Sequence, residues 1–227
     1  MMQQEIFDFC QKERLNWKDF VESDENRAAL MLLAQWPEWN GNGLIIYGEA
    51  CSGKTHLAAL WAQTANAVYV LKGSMDGNPR DLFETVGNSK CNFIIDNFDE
   101  LLIPKNYDRL FHFLNILREK NRFLLLLSRL HPQLWDITLE DLKSRLLSIP
   151  IVGIESPGDD LLLRIARKIA RDLGITIEND ALGYLLNTLE RRVTSLASAL
   201  KILDKLSLRQ KKSLSPAFVK KNLQQLF

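Results

Sequence analysis

Residues Gly48 to Thr55 read GEACSGKT, which is the pattern of a phosphate-binding loop. Gly48 and Gly53 permit a backbone whose amide groups can approach a polyphosphate closely. Lys54 would supply a cation to the β- and γ-phosphates, and Thr55 a hydroxyl to Mg²⁺. An apolar run precedes the loop and a helical pattern follows it, so the positive end of a helix would face the anion. The sequence therefore predicts nucleoside triphosphate binding. The predicted nucleotide contacts in this segment are Gly48, Glu49, Ala50, Cys51, Ser52, Gly53, Lys54, Thr55 and His56.

An acidic residue, Asp96, directly follows the apolar run FII. Behind a phosphate-binding loop, a carboxylate at such a strand end holds Mg²⁺ directly or through water. We therefore expect Thr55 and Asp96 to share a Mg²⁺ ion. The next residue is Asn97, whose amide cannot act as a general base, so we expect slow intrinsic hydrolysis. Asp99 and Glu100 fit a solvated turn.

Strand-like and helix-like segments alternate in the first two thirds of the chain. Short apolar runs predict strands at 44–47, 67–71, 92–95, 122–127 and 148–154. Helical spacing predicts helices at 26–35, 56–65 and 108–120, and a loop and helix from 132 to 147. Beyond residue 158 only helices are predicted, at 159–173, 178–189, 194–206 and 215–226. This pattern predicts an arm (1–15), an α/β domain with a parallel sheet (16–155) and a small helical domain (156–227).

Composition excludes several classes of protein. The chain has 227 residues, is 46% hydrophobic and 25% charged, and carries a net charge of +1, which excludes a disordered chain and a strong global field for polyanions. Its three cysteines lack CxxC spacing, which favours reduced thiols over a metal site. No apolar run approaches the roughly 18 residues of a membrane span, and no signal peptide is evident. We expect a cytoplasmic protein without membrane contact.

Several phrases together resemble a known family. GEACSGKTHLA, FIIDN, DRLFHFLNILREKNRFLLLLS and LKSRL are similar to the AAA+ family around the bacterial replication initiator DnaA, and most of all to its shorter, Hda-type regulators. The similarity covers nearly the whole chain. It implies an α/β P-loop AAA+ base domain followed by an all-helical lid. It also implies ATP or ADP with Mg²⁺ as ligands, and adenine bound near Phe20 and Val21.

The resemblance also implies roles for single residues. Arg145, in the phrase LKSRL, takes the position of an arginine finger, which would stabilise charge on a γ-phosphoryl group bound to a neighbouring subunit. Ser128 takes the position that senses the γ-phosphate, and Asp96 that of the metal-holding catalytic carboxylate. Thr194 takes the position of the sensor arginine of the lid, and it lacks the cation that would contact phosphates.

The N-terminal arm carries a further motif that the resemblance interprets. Hda-type proteins bind the DNA polymerase III sliding clamp (its β subunit) through a short N-terminal peptide with glutamine first and apolar residues last. Two registers fit this chain: Gln3, Ile6 and Phe7, or Gln4, Phe7 and Phe9. Aromatic anchors would fill an apolar pocket while glutamine bonds at its rim. The alternative is an arm whose phenylalanines pack on the chain's own base domain.

These features together predict a regulator of chromosomal replication initiation. With the DNA-loaded clamp, it would present Arg145 to ATP bound on the DnaA initiator, stimulate hydrolysis there and limit re-initiation. It would contact DNA only through the clamp, because the chain ends after the lid, where the initiator has a DNA-binding domain. Two alternatives stay open: a helicase-loader-type AAA+ ATPase, and an adaptor that binds nucleotide without hydrolysing it. Homo-oligomerisation also stays open.

Overall fold

The chain divides into two compact units. The computed structural model describes residues 7–8, 17, 20–71, 73, 79–189 and 193–223. Unit 1 comprises Met1–Ser156 and unit 2 comprises Pro157–Phe227. No helix among the described residues is long and apolar enough to cross a membrane.

Unit 1 is built on a six-stranded sheet with the strand order β1-β3-β4-β5-β2-β6. The strands are β1 (Phe7–Asp8), β2 (Gly43–Tyr47), β3 (Ala67–Val70), β4 (Asn92–Ile95), β5 (Leu124–Ser128) and β6 (Ile151–Gly153). Strands β2 to β6 are parallel to their neighbours, and β1 adds an antiparallel edge by pairing with β3. The carboxyl ends of the parallel strands therefore meet at one edge, where ligands bind in open α/β sheets.

Helices cover the sheet in unit 1 and make up unit 2. Unit 1 contains α1 (Asp24–Ala34), α2 (Lys54–Ala65), α3 (Pro79–Asn88), α4 (Tyr107–Glu119) and α5 (Glu140–Leu147). Unit 2 contains α6 (Asp159–Asp172), α7 (Asn179–Thr188), α8 (Val193–Gln210) and α9 (Pro216–Leu223). The helices of unit 2 share one apolar core, with Leu185, Leu200 and Val219 at its centre.

Alternate residues of the central strands belong to two different cores. Leu125 and Leu127 of β5 pack with α1 and α2 on one face, where Trp61 is buried. Leu124 and Leu126 pack with α3, α4 and α5 on the other. Because successive side chains of a strand point to opposite faces, a strand covered on both sides must be apolar throughout. This explains the uninterrupted leucine run of β5.

The α/β fold class with a helical lid unit is confirmed, and several boundaries differ from those predicted. Strand β5 begins at Leu124 rather than at residue 122, since the Phe123 N–H donates to the Asn92 side chain instead of to a strand (2.9 Å). Strand β6 covers only Ile151–Gly153, and α8 extends to Gln210. Helix α3 was not predicted, although Leu82 and Val86 have the spacing of one buried helical face, because Pro79 and Gly87 are residues that usually mark turns.

Replacing Leu126 by alanine should destabilise unit 1 by about 2–5 kcal/mol, because the side chain is fully buried and leaves a cavity. Leu134→Ala is the control, since 69% of Leu134 is exposed and its truncation should change stability by no more than about 0.5 kcal/mol. Urea unfolding followed by tryptophan fluorescence reports on this unit, because all five tryptophans lie within it. Equal midpoints for the two variants would contradict this assignment of the core.

Candidate nucleotide-binding site

The phosphate-binding loop connects the end of β2 to the start of α2. Its first residue, Gly48, donates its N–H to the carbonyl oxygen of Ser128 at the end of β5 (3.2 Å). A Cβ atom at Gly48 would lie 2.3 Å from the backbone oxygen of Ile154, so no other residue fits without moving that strand end. Gly53 has a φ of 102° immediately before the helix, a conformation that glycine adopts readily. The loop therefore has the strand–loop–helix setting that its sequence predicts.

Lys54 is buried inside the loop rather than extended into solvent. Its Nζ donates to the backbone oxygens of Gly48 (2.7 Å) and Glu49 (2.6 Å), and at 3.4 Å to the Ser52 hydroxyl. Burial lowers the pKa of this ammonium below its usual value, an effect that the negative charge of Asp96 partly opposes. All three hydrogen bonds of the Lys54 ammonium therefore go to neutral oxygens, which phosphate oxygens could replace.

Thr55 and Asp96 are brought together as predicted. The Thr55 hydroxyl donates to Oδ2 of Asp96 at 2.9 Å, although the two residues come from α2 and from the end of β4. Oδ1 of Asp96 accepts the N–H of Asn97 at 2.8 Å, which fixes the orientation of the carboxylate. A hydroxyl and a carboxylate side by side form the oxygen donor set that Mg²⁺ prefers. These two residues therefore fit a Mg²⁺ ion.

Ser128 has different contacts from those expected of a phosphate sensor. The residue is fully buried, and its hydroxyl donates to the Leu130 backbone oxygen (2.8 Å). The Ser128 hydroxyl oxygen also accepts the Leu130 N–H (3.1 Å) and the Trp135 indole N–H (3.2 Å). A hydroxyl has one donor and two acceptor positions, so this one is fully used. Ser128 therefore fixes its own loop, and its contact with the γ-phosphate stays a prediction.

Asp99 and Arg129 lie at the same edge of the sheet, and sequence analysis gave neither of them a role in the site. The Arg129 N–H donates to Oδ1 of Asp99 at 3.0 Å, which links the loop after β5 to the turn after β4. The positive charge of Arg129 contributes to lowering the pKa of Lys54, whereas Asp99 opposes that shift. Both residues follow neighbouring parallel strands, and this sequence position could have predicted that they lie at the same edge of the sheet.

The segment predicted to bind adenine packs beside the loop helix. The ring of Phe20 meets that of His56 edge-on, with centroids 5.2 Å apart, directly after the predicted metal-holding Thr55. The Val21 backbone oxygen accepts a hydrogen bond from the amide of Asn26 (3.0 Å), a buried residue that sequence analysis did not select. Phe20 and Val21 are thus fixed next to the phosphate-binding residues.

Arg145 lies on α5 and contacts α4. Its guanidinium donates to the amide oxygen of Asn115 and lies over the ring of Phe111, with 4.6 Å from Cζ to the ring centroid. Within the described part of the chain, no carboxylate pairs with Arg145, and its polar contacts do not include the phosphate-binding loop. Its charge is therefore oriented without being neutralised.

The other predicted residues have the following positions and contacts. Glu49 accepts a hydrogen bond from the Ser156 hydroxyl (2.7 Å), and Cys51 is exposed. Thr194 lies in α8 of unit 2. Phe7 lies in β1, paired with Val70 at the sheet edge. The remaining arm residues, Gln3, Gln4, Ile6 and Phe9, lie outside the described residues.

Replacing Lys54 by methionine should weaken binding of ATP with Mg²⁺ by about 10- to 150-fold, the range for loss of a charged hydrogen bond. Lys90→Met is the matched control, because Lys90 is exposed after α3 and should leave affinity unchanged. Titration with a fluorescent ATP analogue measures both affinities. Wild-type affinity in Lys54→Met would contradict the site.

Comparison with solved structures finds the same fold in DnaA proteins. The AMPPCP-bound DnaA of Aquifex aeolicus superposes with a TM-score of 0.70 at 22% identity, covering 86% of this chain and 67% of that one. Domain III of the Thermotoga maritima DnaA gives a TM-score of 0.71 at 21% identity, covering 92% and 95%. At such identities the likeness establishes the fold.

Sequence comparisons agree with this fold. An uncharacterized protein of Haemophilus influenzae is 26% identical over 185 residues, which is 78% of this chain and 80% of that protein. The DnaA protein of Leifsonia xyli subsp. xyli is 26% identical over 210 residues, and the match spans 82% of this chain but only 44% of the initiator. The family model of the Hda lid domain matches residues 159–223, which form most of unit 2. The lid family match and the shared fold together support a DnaA-related, Hda-like AAA+ protein.

Proposed function

We propose that this protein binds an adenine nucleotide and regulates replication initiation by stimulating ATP hydrolysis on the DnaA initiator, together with the DNA-loaded sliding clamp. The observation that carries the proposal is Arg145. Its guanidinium is oriented by Asn115 and Phe111, but no described carboxylate neutralises it. Such a cation can be offered to phosphate on a neighbouring molecule.

Nucleotide binding at the chain's own loop is supported by the charges gathered there. Lys54 would move from the carbonyl oxygens of Gly48 and Glu49 to phosphate oxygens, and the helix α2 would add its positive end. Thr55 and Asp96 would hold Mg²⁺, which neutralises charge between the β- and γ-phosphates when bound. Adenine is favoured as the base because a DnaA relative with this fold is described as AMPPCP-bound.

Slow hydrolysis at this loop is supported by Asn97. In many related ATPases this position holds a glutamate that activates water, whereas the amide of Asn97 cannot accept the proton. Asp99 lies nearby, but one of its oxygens is already used by the Arg129 N–H. The bound nucleotide would therefore serve mainly to hold the protein in its working conformation.

Action on a partner's nucleotide is supported by the way Arg145 is held. The rigid helix α4 provides both an amide acceptor and an aromatic face, and a cation over a ring keeps its net charge. An arginine supplied by a neighbouring molecule stabilises the charge that develops on a transferring γ-phosphoryl group. The DnaA relationship makes the initiator the proposed recipient of Arg145.

Recruitment to the clamp would use the N-terminal arm. Phe7 belongs to both possible registers of the clamp-binding peptide, and its backbone pairs with Val70 of β3 in this structure. That pairing favours the alternative in which the arm lies on its own base domain. A two-residue edge strand is marginal in water, however, so the clamp could displace it.

A non-hydrolysing adaptor is the second candidate function. Asn97 supports this function as much as it supports the first, because both require slow hydrolysis at the chain's own loop. In that function the nucleotide only stabilises the fold, and Arg145 plays no part in a partner's chemistry. The Arg145 experiment separates the two candidates.

Arg145→Ala should abolish the stimulation of ATP hydrolysis on DnaA, with a loss of at least about 100-fold, because fingers of this kind contribute about 10³–10⁵ in rate. The assay contains DnaA, clamp loaded on DNA, Mg²⁺ and this protein, and it measures ATP converted to ADP. Asn115→Ala should lose part of the stimulation, because the guanidinium then loses one of its two contacts on α4. Arg118→Ala is the control, since Arg118 is exposed on the same helix. Full stimulation by Arg145→Ala would refute this mechanism and favour the adaptor.

Phe7→Ala should abolish capture of this protein by purified sliding clamp, because both registers use Phe7 as an anchor. The double variant Gln3→Ala with Ile6→Ala tests the first register, and Gln4→Ala with Phe9→Ala tests the second. Only one of these double variants should lose capture. Undiminished capture by every variant would show that the arm is not the clamp-binding segment.

A further inference from the structure

The two units of the chain carry net charges of opposite sign. Residues 157–227 contain 13 lysine and arginine residues against 7 aspartate and glutamate residues, a net charge of +6. Residues 1–156 contain 16 against 21, a net charge of −5. The whole-chain value of +1 therefore conceals a basic unit, whose local field attracts polyanions. What unit 2 can bind then depends on where its cations lie.

A row of three cations runs along the outer face of α8. This α8 row consists of Lys201, Lys205 and Arg209, which are four residues apart and so share one side of the helix, about 6 Å apart along its axis. All three are exposed, and the opposite side of α8 is buried in the core of unit 2 through Leu196 and Leu203. Within the described part of the chain, no carboxylate forms an ion pair with the α8 row. Its full charge is therefore presented to solvent.

Two more lysines follow the α8 row in the turn that ends the helix. Ser207 closes this turn, because its backbone oxygen accepts the Lys212 N–H (3.2 Å) and its hydroxyl donates to the Lys212 backbone oxygen (2.5 Å). Lys211 has a φ of 51°, a left-handed conformation that glycine adopts more readily after a helix. Both lysines are exposed. The series of cations therefore continues past Arg209, at a position where a lysine is conformationally less favourable than glycine.

The helix dipole and local ion pairs do not account for the α8 row. Cations stabilise a helix when they lie near its last turn, and the effect falls off beyond that turn. Lys201 lies more than two turns before the end of α8 at Gln210. Helix α6 shows what a locally paired cation looks like, since Nζ of Lys168 is 2.6 Å from the Asp172 carboxylate. The α8 row has neither of these explanations along its whole length.

The surroundings of the α8 row fit a polyanion held by charge better than a membrane. A helix that binds an anionic membrane inserts an apolar face, and the apolar face of α8 is already buried in the core of unit 2. Ile202 and Leu208 are exposed, but they flank the row on opposite sides and form no continuous apolar face. Duplex DNA carries one negative charge per about 1.7 Å of its axis, so a row of this length would face several phosphates.

We propose that the outer face of α8 and the turn after it bind the phosphate backbone of duplex DNA without reading its sequence. Lysine and arginine contacts with phosphates position a protein on the duplex and carry no sequence information. This face would add a direct contact with DNA to the contact through the clamp. The two contacts use different parts of the chain, so direct binding can be measured with neither clamp nor initiator present.

Binding of the complete protein to a labelled duplex of arbitrary sequence is measured by fluorescence anisotropy over a series of salt concentrations. The wild type should bind with a Kd of about 10⁻⁶–10⁻⁴ M, and its affinity should fall steeply with salt. The triple variant Lys201→Gln, Lys205→Gln, Arg209→Gln should lose at least about tenfold in affinity at low salt. The slope of log affinity against log salt should become shallower by about 3, or about 1 for each lost phosphate contact. A duplex of different sequence should give the same affinities.

Single variants distinguish the α8 row from the net charge of the unit. Lys205→Gln should make the slope shallower by about 1. Lys168→Gln is its matched control, because it removes the same charge from the same unit at a residue that Asp172 already pairs, and its slope should not change. Lys211→Gly should also make the slope shallower by about 1 without lowering the thermal unfolding midpoint, because glycine relieves the left-handed conformation. Weaker binding by this variant would therefore not result from unfolding.

Three results would overturn the proposal. The first is a wild-type protein that does not bind the duplex at low salt. The second is an equal loss in Lys205→Gln and Lys168→Gln, which would assign binding to net charge rather than to the α8 row. The third is binding to phosphatidylglycerol vesicles that depends on the α8 row and exceeds DNA binding at equal phosphate concentration, which would assign this face to a membrane. Clamp capture and Arg145-dependent hydrolysis have their own variants and would stand in each case.

Discussion

The parallel pairing of β2 with β5 determines where every charged group of the site lies. It joins the first amide of the phosphate-binding loop to the last carbonyl of β5, through the Gly48–Ser128 hydrogen bond. Strand β4 pairs with β5 on its other side, so Asp96 ends at the same edge. A shift of one residue in either pairing would turn each strand's side chains to the opposite face. The observed register of these pairings therefore sets which groups meet at the site.

Lys54 and Arg145, the two cations with roles in the proposed function, are held by neutral partners. Lys54 donates to carbonyl and hydroxyl oxygens, and Arg145 to an amide oxygen beside an aromatic ring. A carboxylate partner would cancel the charge of the cation. If the cation then moved to a phosphate, the buried carboxylate would be left unpaired, which costs several kcal/mol. Neutral oxygens orient the cation and are exchanged for phosphate oxygens at lower cost. Neutral partners therefore suit Lys54 for binding phosphate in the loop and Arg145 for reaching phosphate on a neighbouring molecule.

Sequence reasoning succeeded where a chemical requirement is local and failed where it depends on tertiary contacts. The loop from Gly48 to Thr55 and the strand ending at Asp96 are contiguous patterns, and both lie where predicted. The saturation of the Ser128 hydroxyl depends on Trp135, whose ring reaches it only after the intervening loop folds back. The link between Asp99 and Arg129 spans two strands and has no sequence signature. Helix α3 was missed although Leu82 and Val86 share one helical face, because Pro79 and Gly87 are residues that usually mark turns.

Asn97 and Arg145 together explain how one protein could combine a nucleotide site with an action on another nucleotide. An amide in place of the water-activating glutamate would allow a triphosphate to stay bound in the loop. Arg145 has no described polar contact with that loop, and its supports come from α4 alone. In the proposed function, the bound nucleotide is then a condition for activity rather than its substrate. In that function, chemistry is therefore confined to the partner, whose nucleotide Arg145 would reach.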